Sequence, residues 1–106
     1  MSLTLIGWIL LTAAGLSVVT FVFLYWSEIK NWFAKWNKHN LTTKDRDDVG
    51  FTLAKKIEAN KYKTIQGVFN KKTNEVKDGR VIYAKQVDDQ LIDDDADKDG
   101  TLLLFE

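Results

Sequence analysis

The first charged side chain in this chain of 106 residues is Glu28, and residues 3–26 contain neither a charge nor a proline. A helix of that length rises about 1.5 Å per residue and would span roughly 36 Å, whereas the hydrocarbon core of a bilayer is about 30 Å thick. The sequence therefore predicts an N-terminal transmembrane helix that crosses the bilayer with some tilt.

Two other interpretations of this stretch compete with a membrane anchor. A cleaved signal peptide needs a basic residue before a shorter apolar core, and residues 1–3 carry no basic side chain. A buried helix hairpin of a globular domain is the second alternative. The length of the apolar run favours the anchor.

Small residues are spaced along one side of the predicted membrane helix. Ala13 and Ser17 are four residues apart, and Thr20 follows three residues later. Small side chains let the backbones of two membrane helices approach each other closely. Ala13, Ser17 and Thr20 therefore predict a helix-packing face for a membrane-protein partner or for self-association.

Basic residues follow the apolar run, and only the α-amine precedes it. Loops with an excess of Lys and Arg close to the membrane remain in the cytoplasm. We therefore expect a single-pass protein with its N-terminus outside and its C-terminal domain in the cytoplasm. The residues that carry this prediction are Lys30, Lys35, Lys38, Lys44 and Arg46.

Aromatic side chains at spacings of three and four residues follow directly, with lysines between them. Such a pattern places the rings on one helical face and leaves the lysines free to reach lipid headgroups. It predicts an amphipathic helix at the surface of the lipid bilayer. Alternatively, the same rings pack against the following domain or against a partner subunit. The predicted interface residues are Trp26, Ile29, Lys30, Trp32, Phe33, Lys35, Trp36 and Lys38.

The predicted fold class is α+β. Residues 1–27 form the transmembrane anchor, residues 28–41 the interfacial helix and linker, and residues 42–106 a small cytoplasmic domain of two helices and a short antiparallel sheet. A helix over about residues 45–60 is indicated by acidic residues at its start, lysines near its end, and Val49, Leu53 and Ile57 at four-residue spacing.

The rest of the domain combines strand and helix signals. Residues 64–69 form a β-branched and aromatic run that predicts a strand. Asp78-Gly79 predicts a two-residue hairpin turn between two further strands. A second helix is expected from Lys85 to about Asp94, and the final strand is expected over residues 101–105.

Residues 95–106 match the pattern D-x-D-x-D-G-x5-E and so resemble an EF-hand calcium loop. The resemblance implies that Asp95, Asp97, Asp99, the carbonyl of Thr101 and Glu106 are calcium ligands. It covers only these twelve residues, and the strand-like run after Gly100 replaces the exiting helix of that family. A solvated acidic helix end followed by a glycine turn explains the same residues.

Composition limits the classes of function. The chain has 15 basic and 15 acidic residues, and this zero net charge argues against a nucleic-acid partner. It has no Cys and a single histidine, His39, which excludes disulfides and thiolate metal sites and leaves little for hydrolytic chemistry. The sequence therefore predicts no enzymatic activity, no small-molecule substrate, and no cofactor other than calcium.

These features together predict a non-enzymatic accessory or adaptor subunit of a membrane assembly. One alternative is a membrane-tethered module that binds calcium through the acidic loop at residues 95–106. A second alternative is a small membrane-active effector, which the short chain and its tryptophan-rich stretch suggest.

Overall fold

A mixed five-stranded sheet with one helix on each face makes up the computed structural model, which describes residues 4–40, 42, 45–92 and 100–105. The elements along the chain are α1 (Leu5–Thr12), β1 (Ser17–Leu24), α2 (Trp26–His39), β2 (Asp48–Glu58), β3 (Lys61–Asn70), β4 (Glu75–Val87), a 3-10 turn (Asp89–Leu91) and β5 (Thr101–Phe105). The strand order is β1-β4-β3-β2-β5, with β1 parallel to β4 and all other neighbours antiparallel.

The uncharged N-terminal run does not form one helix. α1 ends at Thr12, and the chain turns through Gly15, whose φ of +88° suits a residue without a Cβ. The following residues are mostly β-branched or aromatic and form β1, because such side chains favour extended backbone.

A membrane-spanning helix is therefore not found where the sequence predicts one. In the part of the chain that the structure describes, no helix combines the length and apolar character needed to cross a bilayer. The predicted transmembrane anchor is wrong. The single-pass topology, the assigned sidedness and the adaptor function that depended on the anchor are wrong with it.

The aromatic stretch after β1 does form a helix, α2, but its apolar side faces the sheet. Ile29 is fully buried and Trp36 is almost so. The rings of Phe33 and Trp26 lie 4.9 and 5.6 Å from the ring of Phe105 in β5. The predicted position along a membrane interface is wrong, because these rings contact the rest of the fold.

The helix predicted over residues 45–60 is also wrong, because β2 occupies most of this segment. A spacing of four residues repeats on one side of a helix, but it also returns to the same side of a strand, whose period is two. Val49 and Leu53 accordingly lie together in one core beneath α1, although both are in a strand.

No hairpin turn forms at Asp78-Gly79, because β4 runs without interruption from Glu75 to Val87. Gly79 lies opposite Gly67 of β3, where the two backbones approach closely. A Cβ on Gly79 would lie 2.5 Å from the carbonyl oxygen of Gln66, so this position requires glycine. The chain turns instead beside Asn60 and Asn74, both of which have positive φ.

The second predicted helix is replaced by the end of β4 and a 3-10 turn, while Asp93 and Asp94 lie outside the described residues. Strands are present where the sequence predicts them at residues 64–69 and 101–105, in β3 and β5. The overall fold class was nevertheless wrong, because a five-stranded mixed sheet with two short helices replaces the predicted anchor, interfacial helix and small domain of two helices and a short antiparallel sheet.

The sheet has an apolar core on each face. The core beneath α1 and the core beneath α2 alternate along the strands, as expected for a period of two. The α1 side contains Ile9, Ala13, Val49, Phe51, Leu53, Ile65 and Phe69. The α2 side contains Leu24, Ile29, Ala54, Ile82, Ala84, Val87 and Leu91.

Replacing Gly79→Ala is expected to destabilise the protein by about 1–3 kcal/mol, since the added methyl group meets the backbone of β3. The measurement is chemical denaturation followed by circular dichroism. Glu75→Ala, at an exposed position of the same strand, is the control and is expected to change stability by less than about 0.5 kcal/mol. Equal stabilities of the two variants would contradict the close approach of β3 and β4.

Candidate interaction surface

β1 is one edge of the sheet, and within the described residues it pairs only with β4. Its sequence is SVVTFVFL, without a charge, a proline or a glycine. Val18 and Val22 on this strand are 60% and 74% exposed. Natural edge strands are usually protected by charges, prolines or bulges, because their free N–H and C=O groups can pair with another strand. β1 lacks such protection along its eight residues.

Lysines cluster on the α1 side of the sheet, beyond the end of the helix. Lys55 of β2 lies directly opposite Lys63 of β3, and Lys63 lies opposite Tyr83 of β4. Lys61 follows in the next row, with its Nζ 6.0 Å from the centre of the Tyr83 ring. Like charges directly opposite each other in a sheet destabilise it, so this arrangement favours a negatively charged partner.

Two shallow depressions open among these lysines. The first has a volume of about 320 Å³ and is bordered by Val22, Lys61, Tyr83 and Lys85. The second, of about 160 Å³, lies between Leu10 of α1 and the strands, where Lys55, Ile57 and Lys63 line it. The lysines therefore border depressions whose linings are mainly apolar.

α1 leaves one of its sides uncovered. Its sequence, LIGWILLT, is apolar almost throughout, whereas a helix on the surface of a globular protein usually has a polar side. Ile9 is fully buried against the sheet, but Leu10 and Leu11 are more than half exposed. The side of α1 that faces away from the sheet is thus apolar.

We call this side of the molecule the cationic face. Six of the seven large hydrophobic residues that are exposed in the described part of the chain belong to it. Glu58, at the tip of the β2–β3 hairpin, is the one carboxylate among its described strand residues. The face consists of Lys55, Lys61, Lys63 and Lys85 with the exposed side chains of Leu10, Leu11, Val18, Val22, Ile57 and Leu104.

Beneath α2, one polar network is internal to the fold, while the buried hydroxyls of Thr52 and Thr64 have no hydrogen-bond partner among the described residues. The side chain of Gln66 is fully buried; its Nε2 donates to the carbonyl of Ile29, and its Oε1 accepts from Nε of Arg80. Nη2 of Arg80 lies 3.6 Å from Oε1 of Glu28. These contacts connect α2 to β3 and β4.

The side chain of Arg80 is mostly buried, with 12% of it exposed. Burial lowers the pKa of the Arg80 guanidinium below its usual value, and the nearby Glu28 carboxylate partly offsets this effect. The guanidinium carbon also lies 5.9 Å from the centre of the Phe21 ring. Glu28 thus keeps a cation stable between α2 and the sheet, and we assign this pair a structural role.

A second internal network surrounds the buried carboxylate of Asp48. Its two oxygens accept hydrogen bonds from Nζ of Lys77 and Nδ2 of Asn70, both at 2.8 Å, and one also accepts from the N–H of Asp45. Burial raises the pKa of Asp48, but the hydrogen bonds and the charge of Lys77 outweigh it, so the pKa is lowered overall. Asp48 borders a cleft of about 320 Å³ between α2 and the sheet, but its oxygens are already engaged.

The residues predicted from the sequence are dispersed. Ala13 is buried at the end of α1, whereas Ser17 and Thr20 are exposed in β1, so the three do not share a helical face. Thr101 begins β5. The other predicted calcium ligands, Asp95, Asp97, Asp99 and Glu106, lie outside the described residues, and calcium binding stays a prediction.

The predicted interface residues are divided by α2 into two groups. Ile29 and Trp36 are buried, and Trp26, Trp32 and Phe33 are partly buried. The lysines of the group are exposed on the outer side of the helix, namely Lys30, Lys35 and Lys38.

Sequence reasoning missed the lysines of the cationic face. The alternation in Lys61-Tyr62-Lys63 does indicate a strand with both lysines on one side. Their position beside Lys55 and Lys85, however, depends on the pairing of β3 with β2 and β4, which no local pattern shows.

Comparison of the chain with protein-family models, with curated proteins and with solved structures found no match. Among the residues placed by the structure, no three His, Asp or Glu side chains gather in a group that could hold a metal ion.

Replacing Asp48→Asn is expected to lower the free energy of unfolding at pH 7 by about 1–2 kcal/mol, because the ionised carboxylate is the better hydrogen-bond acceptor. A lowered folded-state pKa means that the ionised group stabilises the fold above the unfolded pKa of about 3.9, and that this contribution is lost as the pH falls through the folded-state value. The difference between wild type and variant should therefore shrink towards acidic pH.

Denaturant titrations between neutral and acidic pH measure this dependence. Asp89→Asn, which changes an exposed carboxylate in the 3-10 turn, is the control and should change the free energy of unfolding by less than about 0.5 kcal/mol at each pH. If the difference in the free energy of unfolding between the wild type and Asp48→Asn did not change with pH, the stabilising role of the Asp48 charge would be contradicted.

Proposed function

We propose that this chain is a non-enzymatic assembly domain, in which β1 of one copy pairs antiparallel with β1 of a second copy. The observation that carries the proposal is an edge strand of eight residues that has no charge and two exposed valines. The pairing would join two five-stranded sheets into one continuous sheet of ten strands.

The absence of charge on β1 favours a second copy of the chain as the partner of this edge. Pairing across a two-fold axis places each patch against itself, so a charged strand would repel its own copy. Residues 17–27 carry no charge, and such a conflict does not arise. A charged partner strand would gain no ion pair from β1.

The side chains of β1 can also pair favourably with those of β1 in a second copy. A two-fold axis at Thr20 places Thr20 opposite its own copy and Val18 opposite Val22 of the second copy, in both directions. Pairs of Thr with Thr and of β-branched residues are favourable across antiparallel strands. Both valines are exposed in the single chain, so each would lose contact with water on pairing.

The main-chain contribution is sufficient for a specific dimer. A two-fold axis at Thr20 pairs residues 17–23 of the two strands and forms about six to eight hydrogen bonds, and specific protein interfaces contain about ten, with a range of about five on either side. The buried area of one strand pair is small for a protein interface, so we expect dissociation in the micromolar range.

The dimer is tested by multi-angle light scattering during size-exclusion chromatography at several concentrations. We expect a mass approaching twice the 12.2 kDa of one chain at the highest concentrations. Thr20→Lys and Val22→Lys should each give the monomer mass, because a lysine at either position meets uncharged side chains or its own copy.

Asn31→Lys adds the same charge on the exposed side of α2 and serves as the control, which should dimerise as the wild type does. Thermal unfolding of each variant establishes that it folds. A wild-type protein that stays monomeric at about 100 μM would overturn the proposal, as would a folded Thr20→Lys dimer as stable as the wild type.

A further inference from the structure

We infer that the cationic face is a docking surface for an anionic lipid surface, on which the protein lies peripherally. The inference does not rest on the β1 dimer, because it uses α1 and the lysines of β2, β3 and β4 rather than the free backbone of β1.

The lysines of the cationic face favour a partner that carries many fixed negative charges. Lys55 and Lys63 are directly opposite each other, and Lys61 and Lys85 continue the cluster towards β1. Within the described residues none of the four forms a salt bridge, and Glu58 is the one carboxylate that shares their strand faces. An array of anionic headgroups offers each lysine a counter-charge and so relieves the repulsion between Lys55 and Lys63.

The apolar part of the face selects among anionic partners. Leu11 on the outer side of α1 is 61% exposed, and Leu10 borders the depression that contains Lys55 and Lys63. Nucleic acid offers charge without hydrocarbon, and an ordinary acidic protein surface does the same. A lipid surface offers both, because apolar side chains enter the boundary of the acyl chains while lysines bind the headgroups above it.

The geometry allows both contacts to be made together. Leu10 and Ile57 lie beside Lys55 and Lys63, around the same depression, rather than on a separate side of the molecule. Lysine stems are themselves apolar, so their ammonium groups can reach past these side chains to the headgroups. The protein would thus rest with α1 towards the membrane and α2 towards water.

The opposite face, on which α2 lies, does not combine lysines with exposed large aliphatic side chains among its described residues. Lys30, Lys35 and Lys38 are exposed on α2, but the large apolar side chains of that helix pack against the sheet. A bilayer would therefore meet lysines there without exposed leucine or valine. We expect α2 to contribute little to binding.

The test is co-sedimentation of the full chain with vesicles of phosphatidylcholine, alone or with about 30% phosphatidylglycerol. Binding is expected with the anionic vesicles only, and it should weaken as salt is raised, because exposed charges are screened. A protein that fails to bind the anionic vesicles at low salt would overturn the inference and leave the dimer test unaffected.

The contribution of the lysines is measured with the double variant Lys61→Gln/Lys85→Gln. We expect affinity for the anionic vesicles to fall about thirtyfold, the effect of removing two charges near a membrane surface. The control, Lys71→Gln/Lys72→Gln, makes the same change in the turn between β3 and β4 at the other end of the sheet. Equal losses in both double variants would show adsorption by overall charge and would overturn the assignment of this face.

The contribution of the apolar side chains is measured with Leu11→Ser, whose fold is checked by thermal unfolding. The exposed position of Leu11 in α1 should leave stability nearly unchanged, while binding to the anionic vesicles weakens several-fold. Binding that is unchanged in this folded variant would mean that lysines alone hold the protein on the surface, and a combined surface would be excluded.

Discussion

The parallel pairing of β1 with β4 determines how the rest of the chain is arranged. Residues of an uncharged segment still carry a backbone N–H and C=O each, and these groups must find partners when the segment leaves water. β4 supplies partners along one side of β1. Because β1 lies in the sheet, the chain before it arrives on one face and the chain after it leaves over the other. α1 and α2 consequently cover opposite faces.

The two faces differ in how their polar groups are satisfied. Beneath α2, Gln66 connects the backbone of the helix to Arg80, and Glu28 balances the charge of that arginine. Such a network is favourable only when its members find partners, and it fixes the position of α2 on the sheet. On the α1 side, Lys55 and Lys63 lie opposite each other beyond the end of α1, an apolar helix whose Leu10 and Leu11 are exposed. The α2 face therefore has an internal polar network that holds its helix in place, whereas the α1 face exposes lysines and apolar side chains to the surroundings.

Local patterns in the sequence were sufficient for two strands but not for the fold. The run at residues 64–69 and the terminal TLLLF combine strand-forming residues with clear boundaries, and both are strands. The apolar run at the N-terminus was long enough for a membrane helix, yet its second half consists largely of β-branched and aromatic residues that extend when a sheet is available. The length of an apolar run alone does not distinguish a membrane helix from a short helix followed by a strand.

Other predictions were wrong because the same sequence pattern occurs in two kinds of local structure. Val49 and Leu53 lie on one side of a helix and equally on one side of a strand. Asp78-Gly79 is typical of a hairpin turn, but Gly79 is required here because two strands approach closely. For the candidate surfaces, single residues such as Lys63 were visible, but the cluster was not. It depends on strand register between distant segments, which tertiary pairing alone determines.

The long sequence separation between β1 and its partner β4 also bears on synthesis at the ribosome. Its partner β4 lies about sixty residues further on, and at about 5–20 residues per second the nascent β1 waits several seconds for it. During that time an uncharged, extended-prone segment is outside the exit tunnel without its neighbour. The protein should therefore depend on chaperones that shield apolar segments more strongly during translation than after release, when the sheet can close.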